Sequence, residues 1–135
     1  MSKIIEELNK KSCLYYEKGA SIEAIKKAEE ALGLKFDEDY KEYLRQFGSV
    51  SCGGHELTGI SEDEALDVVK VTIYNRERNQ NVRIPIYVIE ETHIDGIVIW
   101  QAETGEIFQT GYKEVPEKIF ESLMEYVSTF ENREY

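Results

Sequence analysis

The thiols and imidazoles of the chain are Cys13, Cys52, His55 and His93. Neither histidine has a second histidine one helical turn away or a Cys-x-x-Cys companion, so no zinc site is specified. His93 stands between Glu91 and Asp95, but near-adjacent loop residues rarely converge on one ion, and a solvated loop is expected. His55 beside Cys52 would need a third group to orient the imidazole before the thiol became a nucleophile, and the sequence specifies none. Gly53-Gly54 lacks the Lys and Ser/Thr of a phosphate loop. Glu90 and Glu91 are neighbours on an expected strand, so their side chains leave opposite faces and cannot share a substrate. The sequence therefore points to a protein with no catalytic residues, no cofactor and no metal. Cys13 and Cys52, far apart and in no metal-binding spacing, read as two buried thiols of a reducing cytoplasm.

Charge is the stronger signal. The 135 residues carry 27 Asp and Glu against 16 Lys and Arg, a net charge of -11. Nucleic acid and anionic membrane are disfavoured as direct partners, and a basic protein is favoured. No apolar run reaches the ~18 residues of a membrane span. The excess is concentrated. Residues 46–69 hold Glu56, Glu62, Asp63, Glu64 and Asp67 with no Lys or Arg, and residues 84–112 hold Glu90, Glu91, Asp95, Glu103 and Glu106 with none either. These segments also contain Tyr87, Trp100 and Tyr112. Such a pattern fits either a solubilising surface or one acidic, partly aromatic face that steers a basic partner. In the second reading Trp100 and Tyr112 are the candidate apolar anchors, although each aromatic taken alone favours core packing.

The elements that must position this face follow from periodicity. Ile4, Ile5 and Leu8 mark a first helix ending before Lys18. Ser21 is placed to cap a second helix carrying Ile22, Ile25, Ala28 and Leu32, with Gly33 at its left-handed end. Asp37 is placed to cap a third, along which Tyr40, Tyr43, Leu44 and Phe47 recur, closed by Gly48. A glycine-punctuated turn and short strand occupy 51–60. Residues 67–78 alternate like a strand at Val69, Val71 and Ile73, yet Leu66, Val69 and Ile73 also fit one helix face, and local propensity leans towards strand. Strands are predicted over 84–89, 97–100 and 107–109, joined by turns at Ile94-Asp95-Gly96 and Glu103-Thr104-Gly105-Glu106. A closing helix is predicted from Pro116, with Ile119, Phe120, Leu123, Met124, Val127 and Phe130 on one face. The whole reads as one α+β domain over 1–135, with N-terminal helices and a C-terminal helix packed on a mainly antiparallel sheet. The sequence specifies no oligomeric state.

The runs Lys18-Gly19-Ala20-Ser21, Leu32-Gly33-Leu34, Asp39-Tyr40-Lys41-Glu42-Tyr43-Leu44 and Phe47-Gly48 resemble the opening of the SUKH superfamily. That group includes the yeast cell-wall-synthesis regulator and many bacterial immunity proteins of polymorphic toxin systems. Glu56-Leu57-Thr58-Gly59-Ile60 is similar to the strand that follows, and Phe120-Glu121-Ser122-Leu123 to the final helix region. Asp37 stands where members often carry proline, and Glu90 to Gly96 replaces a Gly/Asn-rich turn. The resemblance implies a helix at 67–78. It further implies a cytoplasmic, non-enzymatic immunity protein that neutralises a cognate toxin, often a nuclease, or alternatively a regulatory interaction scaffold.

Overall fold

The computed structural model describes residues 3–11 and 15–130. Seven strands form one sheet in sequential order, each antiparallel to its neighbours: β1 (Tyr15–Lys18), β2 (Phe47–Cys52), β3 (His55–Leu57), β4 (Ile86–Glu91), β5 (Val98–Ala102), β6 (Ile107–Thr110) and β7 (Glu117–Phe120). Among the described residues five α-helices accompany it, α1 (Lys3–Asn9), α2 (Ile22–Leu32), α3 (Glu38–Gln46), α4 (Val68–Arg78) and α5 (Leu123–Ser128), with a short 3-10 turn at Glu64–Leu66. The α+β architecture is the one expected.

Local chemistry sets the helix ends. Ser21 Oγ accepts from the Ala24 amide at 3.1 Å, and Gly33 closes α2 with φ 68°, a conformation open to glycine at little cost. Asp37 caps α3 through the Asp39 amide. The Asp37 carboxyl is raised above its usual pKa by partial burial and then by the neighbouring Asp39 charge. Asp67 caps α4 through the Lys70 amide, so 67–78 is helix despite its β-branched residues.

Alternate residues of β4 and β5 face two separate apolar clusters. Tyr87, Ile89 and Ile99 join the large core under α1, α2, α3 and α5, whereas Ile86, Val88 and Trp100 face Val71 of α4. α4 lies beside β4 where the three-residue β3 has ended. Its side chains take the polar groups that β3 cannot reach: the Val88 amide donates to Thr72 Oγ1 at 2.9 Å, and Arg76 donates to the Ile86 carbonyl at 3.3 Å. Arg76 also reaches the Leu32 carbonyl at the end of α2, tying the two helices together.

Four expectations are corrected. The first helix ends at Asn9, and residues 15–18 form an edge strand paired with β2. α3 ends at Gln46, so Phe47 and Gly48 begin β2 instead of closing the helix. The closing helix starts only at Leu123, capped by Ser122, because residues 117–120 pair with β6. Cys52 is disulfide-bonded rather than a free thiol, which removes the cysteine argument for a reducing compartment; Cys13 lies outside the described residues.

Candidate functional site

Not every acid of the two stretches reaches one surface. Asp95 and Glu103 flank opposite ends of β5. Glu103 accepts from the Lys35 amide beside α2, and Glu106 lies by Thr104 and Lys118 on that same remote edge. Glu56 is on β3. Asp67 is occupied as a helix cap, also accepting from Ser61.

Glu90 is not on the surface. It is 2% exposed, on the face covered by α5, and three donors converge on its carboxylate: the Tyr126 hydroxyl, His55 Nδ1 at 3.1 Å and the Glu56 amide at 2.9 Å. Burial, then the adjoining Glu90 charge, pushes the Tyr126 phenol well above its ordinary pKa, so it remains a donor. The His55 ring stacks on Phe130 with centroids 3.9 Å apart. A β-bulge between Val88 and Glu90 turns Ile89 and Glu90 to this core and sends Glu91 to the α4 side, where Asn75 Nδ2 donates to it at 2.9 Å. The two adjacent glutamates do leave opposite faces, as expected.

Trp100 is fully buried, with its indole N–H donating to Thr110 Oγ1 at 3.0 Å. Tyr87 is buried as well, donating to Gln101 Oε1 at 2.7 Å. Neither can be an exposed anchor. β5 is a central strand covered on both faces, and an apolar aromatic there gains more from burial than from waiting for a partner.

What the fold does assemble is a pair of adjoining depressions around the exposed side of α4. One, of about 200 Å³, opens between α4 and the β4–β5 and β6–β7 turns. Tyr74, Tyr112, Arg78, His93 and Lys113 are among the residues that line it, with Trp100 covered beneath them. The second, of about 500 Å³, runs along α4 between Ile73, Tyr74 and Glu77 on one side and Glu64 and Ala65 on the other. Tyr74 and Glu91 line both. Tyr74 is 52% exposed, Tyr112 65% and Ile94, in the β4–β5 turn, 64%. Of the sequence-derived candidates, Glu64, Glu91, Trp100 and Tyr112 line these depressions, with Glu62, Asp63 and Asp95 in the same loops. The contribution of Tyr74, Arg78 and Lys113 was missed. Residues 70–83 carry Lys70, Arg76, Arg78 and Arg83 against Glu77 alone, and this basic run between two acidic stretches is the signal that could have found Arg78.

The turns at the rim are fixed by side chains. Asn79 and Asn81 donate to the Glu114 and Lys113 carbonyls, and the Thr92 hydroxyl donates to the Ile97 carbonyl at 2.8 Å. His93, Asp95 and Lys113 have φ of 59°, 53° and 57°, and they are the non-glycine left-handed residues among those described. All three sit in the two turns that border the smaller depression. A side chain there costs about 1 kcal/mol against glycine, and strain of this kind collects where a loop must hold one shape. Lys113→Gly is therefore expected to raise stability by about 1 kcal/mol, read as a higher urea midpoint with unchanged slope; a lower midpoint would contradict the strain assignment.

Among the described residues no group of three or more His, Cys, Asp or Glu could hold a metal ion, and no helix is long and apolar enough to cross a membrane. No curated protein matches the chain. A family model described as SMI1-KNR4 cell-wall (SUKH_5) matches residues 1–130. With nearly its whole length inside that match, the chain belongs to the SMI1-KNR4 family of the SUKH superfamily.

Proposed function

We propose that this is a non-enzymatic immunity protein that acts in the cytoplasm, binding a basic cognate toxin such as a nuclease and neutralising it by occlusion. The observation that carries this reading is the α4 surface. Exposed Tyr74 lines both depressions and exposed Tyr112 the smaller one, exposed Ile94 lies in the bordering β4–β5 turn, and Glu64, Glu77 and Glu91 are among the lining acids. Aromatic centres within a charged rim are characteristic of protein interfaces. The surplus acids give long-range attraction for a cationic protein and compete with phosphates for it. Membership of the SUKH superfamily supports a protein-binding role in general.

Two experiments test the reading. Co-expression with a toxin-like C-terminal domain encoded beside this gene should restore growth that the toxin alone abolishes; continued arrest with both proteins soluble would count against immunity. With that toxin in hand, charge reversal at Glu62, Asp63, Glu64 and Glu91 together should slow association about tenfold at low salt and flatten its salt dependence. Glu90 is left out of that set because reversing a buried carboxylate would unfold the protein instead of testing docking. A second reading, a regulatory scaffold for other proteins, is favoured by the cell-wall description of the matched family. A locus without any toxin-like gene would support it.

A further inference from the structure

The smaller depression differs from its surroundings in charge. Its lining includes two cations, Arg78 and Lys113, and one carboxylate, Glu91, in a chain where acids outnumber bases 27 to 16. Neither cation makes an ion pair among the described residues. Each lies instead against an aromatic ring that lines the depression: Arg78 Cζ is 5.2 Å from the Tyr74 ring centroid, and Lys113 Nζ is 5.2 Å from that of Tyr112. The Glu91 carboxylate is turned to the Asn75 amide.

Size narrows the occupant. About 200 Å³ falls short of the roughly 300–1,000 Å³ of cofactor and drug-like sites, so one side chain fits and a nucleotide does not. The exposed rings of Tyr74 and Tyr112 suit an apolar arm, and the two cations lying against those rings suit an anionic end. The rim turns are held in left-handed conformations and strapped by Asn79 and Asn81, so the shape exists before anything binds.

We propose that this depression receives a carboxylate carried on a short, largely apolar arm of the docked protein. The proposal rests on the docking reading above and adds a basis for selectivity. The acids around α4 attract cationic proteins in general, whereas docking without a carboxylate would bury Arg78 and Lys113 unpaired, and such a mismatch discriminates between partners.

Trp100 is the only tryptophan, so its indole N–H, bonded to Thr110 just beneath the depression, gives a single NMR resonance that reports on it. The full chain is titrated with 4-hydroxyphenylacetate and, separately, with tyramine, a phenol of similar size ending in an ammonium. The carboxylate probe should shift the indole resonance saturably, with tyramine weaker by about fivefold or more. The double variant Arg78→Ala/Lys113→Gly, its fold checked from the remaining resonances, should lose the response to the carboxylate. An equal or stronger response to tyramine, which would seat a cation against Glu91, overturns the proposal. So does the absence of a saturable shift with either probe, or an equal response to inorganic phosphate, which would make this a generic anion site. Growth rescue is read without these probes, so failure of the pocket and failure of the immunity reading are separate results.

Discussion

Trp100→Ala is expected to lower stability by about 4 kcal/mol, measured by urea denaturation. The indole is fully buried between Ile86, Val88 and Val71, and its loss would leave a cavity beneath the depression and strand the Thr110 hydroxyl. For a domain whose total stability is about 5–15 kcal/mol, that is a large fraction. The sequence leaves two roles open for it, core packing or an exposed anchor for a partner, and the two separate cleanly. An anchor removed from a surface leaves the urea midpoint in place and weakens binding. A side chain removed from a core moves the midpoint first. A variant as stable as the wild type would return Trp100 to the surface and undo the description of the depression.

Glu90→Ala is expected to cost about 3 kcal/mol, because it leaves the Tyr126 hydroxyl, His55 and the Glu56 amide without their shared acceptor. The interaction joins β3, β4 and α5, so α5 should loosen before the rest and its amides should exchange faster. Tyr126→Phe deletes one donor and leaves the carboxylate two, so its cost should be nearer 1 kcal/mol. Equal losses from the two variants would mean that Glu90 acts through Tyr126 alone. No loss from Glu90→Ala would restore it to the exposed acids from which the structure removes it.

These residues show where reading the chain succeeds and where it stops. Ser21, Gly33 and Asp37 are legible because a cap is a contact within a few residues, and the same atoms satisfy the same amides in any fold. Residues 15–18 were read past because all four side chains are exposed, so no alternation marks a strand; pairing with β2 makes one. Ile119 and Phe120 continue a helical stripe and still form β7, because the edge of β6 offers backbone partners that a first helical turn lacks. For 67–78 the local pattern allowed two answers, and the resemblance chose the helix that packing against β4 requires.

By itself the sequence determined the α+β class, the capped helices, the strand positions around the β5 turns, the excess of acid and the family. Those properties depend on local spacing and on composition. Tertiary structure alone decided which acids meet: a bulge and a three-residue β3 send Glu90 inward to Tyr126 and Glu91 outward to α4, and the length of β5 parts Asp95 from Glu103. It also brought Arg78 and Lys113, distant along the chain, to one depression. Charges add along a sequence regardless of order, but a surface depends on direction, and direction is set by register and packing.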